Sequence, residues 1–200
     1  MHEVSTEELQ SFADAIGLNG IAGGRCSTLF LFQLYACTCL THALGDTPKV
    51  LAEVKHLEGI GGSRTKPAES FKRPPLLGLK KKHYLVGGLA SVALNTLLGA
   101  GKKRREFRQI AKRHHNPATA QMPPAVIAKN IGDDVLNLYW KRSAAQGLTG
   151  NWIVFTEYSE KNFYLCLAVH DEGDEAIASR IKGACWGEFP FLESLMATTL

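Results

Sequence analysis

The sequence predicts an α+β fold, and three observations carry that reading. Residues 5–146 are dominated by apolar residues that either recur at helical spacing or run apolar on nearly all sides, with glycine and proline stops between them. Residues 152–158 and 163–170 are two short runs rich in β-branched and aromatic side chains. An acidic stretch, Asp171 to Glu175, then opens a closing helix, its carboxylates suited to a helix N-terminus. The expected architecture is a largely helical N-terminal two-thirds packed around two buried helices, followed by a C-terminal antiparallel hairpin covered by a final helix. At 200 residues the chain is long enough to bury a sizeable core, and a single domain is expected.

The elements follow in order. Ser5-Thr6-Glu7-Glu8 reads as a capping box, with Leu9, Phe12, Ala13 and Ile16 at helical spacing and Gly17 as the stop. Residues 27–44 are apolar on most faces, as a central core helix would be. Thr47-Pro48 caps a further helix that ends before Gly59. Residues 59–79 hold four glycines, three prolines and no apolar periodicity, so they read as a long loop. A second buried helix is predicted over 84–98, a basic helix over 101–117, and another helix over 125–146, with Gly132 as a point where it could kink.

The hairpin of residues 151–170 turns at Ser159-Glu160-Lys161-Asn162. If Tyr158 faces Phe163, Trp152, Val154, Thr156, Phe163, Leu165, Leu167 and Val169 share one face with Tyr158. Ile153, Phe155, Glu157, Tyr164, Cys166, Ala168 and His170 then share the other. Both faces are mostly apolar, so helices should cover both. Two strands alone are marginal, and a third is expected either in the loops or in Glu188 to Leu192.

Two uncharged stretches, 26–44 and 84–101, approach the length of a bilayer span. Gln33 and His42 in the first, and four glycines with Ser91, Asn95 and Thr96 in the second, favour buried helices over spans. Five cysteines without a CxxC pair, and no cleavable signal pattern, favour a reduced, cytoplasmic setting.

Charge is unevenly distributed. Residues 64–115 carry 14 Lys and Arg against two acids, whereas residues 1–63 and 151–200 are net acidic. The densest part, Gly101 to Pro117, holds seven Lys or Arg and one Glu. As a helix it would suffer like-charge repulsion of about 0.2–0.5 kcal/mol per pair four apart, so packing or a partner must compensate. Phe107, Ile110, Ala111 and His114 form one stripe that anchors a face to the core. Lys102, Lys103, Arg104, Arg105, Arg108, Lys112, Arg113 and His115 spread over the remainder. Lys72 with Arg73, and Lys80, Lys81 and Lys82, form two more basic clusters.

This pattern predicts contact with a nucleic-acid backbone, RNA or DNA, with no zinc finger, aromatic ribonucleoprotein motif or basic zipper to read bases. The competing reading is a non-catalytic adaptor or inhibitor that docks on an acidic protein, and the chain's own acidic tail could also screen the charge. A membrane-surface helix would need an exposed apolar face in addition, so no membrane partner is expected.

Metal-independent ribonuclease chemistry is an extension of the nucleic-acid reading, requiring a base, an acid and a cation around one phosphate. His83, Glu157, Lys161 and His170 could supply these roles if the fold gathered them. No metal or other cofactor is expected. Cys37 and Cys39 lie about 200° apart on a helix, and only Cys39 and His42 share a face, two ligands short of a zinc site. Asp133, Asp134 and Glu157 lack the Glu-x-Lys that usually accompanies a magnesium nuclease's carboxylates. "GIGGSRTK", Gly59 to Lys66, lacks the Gly-Lys-Ser/Thr of a phosphate-binding loop. No serine-hydrolase elbow, dinucleotide fingerprint or kinase motif is present.

Overall fold

The computed structural model describes residues 4–40, 46–85, 108–110, 112–114, 122–144, 151–169 and 171–197. Two compact units make up the chain: Met1–Val86 with Thr149–Leu200, and Gly87–Leu148. The first unit holds helices α1 (Thr6–Ala15), α2 (Asn19–Ala22), α3 (Thr28–Tyr35) and α4 (Thr47–Leu57), then strands β1 (Glu69–Ser70) and β2 (Lys80–Tyr84). The second contains α5 (Pro124–Ala144), which is helical through Gly132, and helical residues 108–110 and 112–114. The first unit resumes with β3 (Asn151–Tyr158), β4 (Lys161–Ala168), α6 (Asp174–Cys185) and α7 (Phe191–Ala197).

Local chemistry starts these elements where the sequence places them. Ser5 caps α1 through both arms of the box: its hydroxyl accepts from the Glu8 amide, and its own amide donates to the Glu8 carboxylate at 2.8 Å. Ser27 caps α3, and α3 passes into a π-helical turn at Ala36–Leu40, so the predicted core helix is present with a change of geometry in its second half, and residues 41–44 of the prediction lie outside the described residues. Phe30, Leu31 and Leu34 of α3 are buried beside the sheet, each fully buried side chain contributing about 1.5–3 kcal/mol.

The sheet is antiparallel in the order β1-β2-β3-β4. The additional strands therefore come from the 59–79 loop and from Lys80–Tyr84, whereas Phe191 and Leu192 lie in helix α7. Tyr84, predicted to begin a helix, ends strand β2, and Leu85 is not helical; residues 86–98 of the prediction lie outside the described residues. Pairing with β3 overrides the weak strand propensity of Lys80-Lys81-Lys82.

The β3–β4 turn is tighter than the sequence suggests. Tyr158 faces Lys161, and Ser159 and Glu160 both adopt positive φ (49° and 61°), as a two-residue type I′ turn requires. A bulge then places Leu165 between the Val154–Cys166 and Phe155–Tyr164 pairs. The extra residue reverses the faces beyond it: Leu167 joins Ile153, Phe155 and Tyr164 under α1, α3 and α4, and Cys166 and Ala168 join Trp152, Val154 and Leu165 under α6 and α7. Both faces are covered, as the two-sided apolar pattern predicts.

The outer edge of β4 is closed mainly by side chains. The Gln33 amide donates to the Leu167 carbonyl and accepts from the Leu167 amide, at 3.0 and 2.7 Å. Ser27 donates to the Leu165 carbonyl at 2.6 Å and Arg180 to that of Leu167 at 3.0 Å. Gln33 is therefore buried as the partner of an otherwise open ladder. Among the described residues no helix is long and apolar enough to cross a membrane.

Candidate nucleic-acid interface

The register fixes what gathers at one end of the sheet. Phe71 N–H donates to Leu79 O at 3.0 Å, closing the β1–β2 connection, and Lys80 faces Phe155 near the end of β3. The connection 72–79 and the turn 159–160 therefore leave the sheet at the same end, with β1 and β4 three strand spacings apart, about 14 Å. Gly78, at φ +89°, seats the connection: an added Cβ would lie 3.1 Å from Leu195 of α7, and the Thr156 hydroxyl donates to the Gly78 carbonyl.

This end presents Lys72 and Arg73 on one connection and Lys161 on the other, all exposed and, among the described residues, without an ion pair. Between them stands an aromatic group. Tyr158, 47% exposed, stacks on Phe191 with ring centroids 4.1 Å apart and planes 7° apart. Phe163 sets its ring against Phe191 at 4.9 Å and Phe189 at 5.2 Å. Acids at this end include Glu157, engaged by Lys80 at 2.5 Å, exposed Glu160 at the turn, and exposed Glu193 in the first turn of α7.

The three consecutive lysines of β2 have three different surroundings: alternation puts Lys81 on one face and Lys80 and Lys82 on the other, where Lys80 lies near the strand end and Lys82 lies under α4. Lys80 pairs with Glu157. Lys81 lies over the Trp152 and Phe71 rings, 4.4 and 5.2 Å from their centroids. Lys82 is fully buried against α4 and has no surface to offer a phosphate. Its ammonium donates to Ser63 Oγ at 2.9 Å and Lys66 O at 2.7 Å and lies 3.3 Å from Glu53 Oε2. Burial draws the Lys82 pKa below that of an ordinary lysine, with Glu53 acting in the opposite sense.

The GIGGSRTK stretch is tied down by the same group. The Ser63 hydroxyl donates to Glu53 at 2.7 Å, and Thr65 donates to the His83 carbonyl at 2.8 Å. Its hydroxyls thus hold the loop to α4 and β2, while Arg64 and Lys66 face solvent.

The candidate cleavage residues do not converge. His83 is buried with its ring 6.3 Å from that of its cross-strand partner Trp152. Glu157 lies five residues further along β3, about 17 Å away at strand rise, and belongs to the opposite face with Ile153 and Phe155. Lys161 sits beside the turn opposite Tyr158, remote from His83, and Asn162 rather than Lys161 faces Glu157. His170 lies outside the described residues.

In the second unit Arg108 and Lys112, four apart on helical residues, are exposed, and Ile110 is buried as the predicted anchor. Arg113 and His114 both reach Asp134, at 2.6 and 2.8 Å. The His114 hydrogen bond, opposed by desolvation and aided by Arg113, holds the Asp134 carboxyl below its usual range. Arg113 is thus partly neutralised within its own unit, a pairing the sequence signals only as acids downstream. Lys102, Lys103, Arg104, Arg105 and His115 lie outside the described residues.

The sequence did not single out Tyr158 or Phe191 as surface groups, because aromatic residues at strand ends and helix starts read as core. Among the described residues no group of three or more His, Cys, Asp or Glu could hold a metal ion. Comparison with protein-family models, curated proteins and solved structures gives no match to this chain.

Proposed function

We propose that this protein binds nucleic acid along its phosphate backbone through Lys72, Arg73 and Lys161 at the turn end of the sheet; the second unit carries exposed Arg108 and Lys112 of its own. The observation that carries this reading is that Lys72, Arg73 and Lys161 are exposed at one end of the sheet and, among the described residues, form no ion pair, while neighbouring Lys80 is already matched by Glu157. Charges left without an internal partner are the ones available to release counterions from a polyanion. Cleavage by His83 with Glu157 and Lys161 is not part of the proposal, because a buried imidazole on the far side of the strand reaches no common phosphate. A reducing, cytoplasmic setting goes with this reading, supported by five free thiols.

The test is fluorescence anisotropy with labelled mixed-sequence RNA and DNA oligonucleotides between 50 and 200 mM salt. Lys72→Glu with Arg73→Glu should weaken binding and flatten the salt slope by about 1.4 log units for single strands, at about 0.7 for each phosphate no longer neutralised. Absence of binding at the lowest salt would overturn the proposal and leave docking on an acidic protein as the better account. An unchanged slope in the double variant would remove Lys72 and Arg73 from the interface.

A further inference from the structure

We infer that the nucleic acid is single-stranded and that the Tyr158–Phe191 stack is the platform on which one of its bases lies. The inference rests on the phosphate-binding reading above and narrows it to a substrate class.

Tyr158 is one of few large hydrophobic side chains left exposed among the described residues; it faces exposed Lys161 across the hairpin, and the connection that carries Lys72 and Arg73 leaves the sheet at the same end. Its ring is held in place. Phe191 lies parallel beneath it at 4.1 Å, and Phe163 meets both at an edge, 6.4 Å from Tyr158 and 4.9 Å from Phe191. Phe189, buried, supports Phe163 at 5.2 Å. An aromatic side chain fixed by its neighbours loses little entropy when a ligand stacks on it, so the stacking energy is retained.

Lys161 faces Tyr158 across the hairpin, and Lys72 and Arg73 leave the sheet at the same end. A base stacked on Tyr158 would therefore have cations to either side for its flanking phosphates. In a duplex the base faces are already stacked on each other, so a lone tyrosine gains nothing from it. A single strand presents those faces, and stacking on aromatic rings tolerates any base, which suits a chain without base-reading motifs. Exposed Glu160 at the turn repels phosphate and confines the strand to the cationic sides.

The experiment compares the full chain with Tyr158→Leu and Tyr158→Trp, titrated against a labelled 12-nucleotide RNA, the same sequence as DNA, and the matching duplex, at 50 mM salt. Thermal melts confirm that each variant is folded; leucine preserves packing on Phe191 while removing the π face. The wild type should bind the single strands more tightly than the duplex. Tyr158→Leu should weaken single-strand binding by about 5- to 150-fold, the range for losing one base–aromatic stack, and leave duplex binding within about twofold. Tyr158→Trp should retain single-strand affinity.

Equal single-strand and duplex affinity, or a Tyr158→Leu variant that binds single strands like the wild type, would overturn the inference. If duplex binding is lost in Lys72→Glu with Arg73→Glu but no oligonucleotide responds to Tyr158, phosphate binding stands and the platform falls. If the wild type binds no oligonucleotide of either kind, both fall together.

Discussion

Replacing Lys82 by methionine tests how much of the fold hangs on one buried charge. The ammonium has no solvent exposure, and its three N–H groups are directed at Ser63, Lys66 and Glu53. At the observed 3.3 Å separation from Glu53, the Coulomb attraction is about 5 kcal/mol at an effective dielectric of about 20, an upper figure before desolvation is counted. Methionine fills the volume but leaves the Glu53 carboxylate, whose side chain is 9% exposed, without its counter-charge, and leaves the Lys66 carbonyl without this donor. Removing one member of a buried pair costs about 3–5 kcal/mol, a large share of the ~5–15 kcal/mol that stabilises a typical domain.

Adding Glu53→Leu should recover most of that loss, because an apolar pair of similar volume is roughly neutral against a buried ion pair. The double-mutant cycle should therefore show a coupling of at least about 3 kcal/mol, read from urea unfolding followed by circular dichroism. With a slope near 2 kcal/mol per molar, Lys82→Met alone should lower the midpoint by about 1.5 M or more. The pH dependence gives an independent readout. Because the folded pKa of Lys82 is depressed, the unfolded chain binds the extra proton, so this residue makes stability rise as pH climbs through the folded value towards that of a free lysine. That rise should vanish in Lys82→Met. A coupling below about 1 kcal/mol, within the range of exposed pairs, would refute the claim that the two charges depend on each other in a dry site.

Two further outcomes follow from other buried groups. Burial pushes the Glu58 carboxyl up, but the Arg25 guanidinium, the Tyr164 hydroxyl and the Asn162 amide outweigh it and hold it below its ordinary value. Its contribution is therefore full above the unfolded carboxylate range of about 4.3 and lost as pH falls through the folded value; Glu58→Gln should flatten the acid loss of stability below pH ~5, and identical urea midpoints against pH in both proteins would contradict this. Burial also pushes Cys166 and Cys26 up to about 12 and Cys185 up to about 11, whereas Cys39 is exposed. Iodoacetamide at pH 8 should alkylate Cys39 first, with the other three reacting only on unfolding; peptide mass spectrometry showing Cys166 labelled as fast as Cys39 in the folded protein would count against the packing described.

Much of the fold was legible because its signals are local. The Ser5–Glu8 box needs residues three apart, and the two-sided apolar strands 152–158 and 163–168 already call for a helix layer on each face. Strand β2 was not legible. Lys80-Lys81-Lys82 has no alternating apolar pattern, and it enters the sheet only because Glu157, the Trp152 and Phe71 rings, and Glu53 each accommodate one lysine. The faces of β4 beyond Leu165 could not be read either, since that single unpaired residue reverses alternation without leaving a composition signal. At the candidate site the sequence counted cations correctly but had no means of telling the paired from the free. It named Lys82 and Lys72 alike as phosphate contacts, yet one is fully buried and the other faces solvent.

Alone, the sequence determined the α+β class, the Ser5 capping box, the hairpin and the concentration of positive charge between residues 64 and 115, all properties of near neighbours along the chain, whereas the cap it placed at Thr47 falls on Asp46. Tertiary structure alone decided which charges remain for a partner and that Tyr158 stands exposed on Phe191 beside Lys161. Charge neutralisation and ring stacking act over a few ångströms of space, and the residues that meet there, Lys80 with Glu157 or Lys82 with Glu53, are separated in sequence by distances no local pattern records.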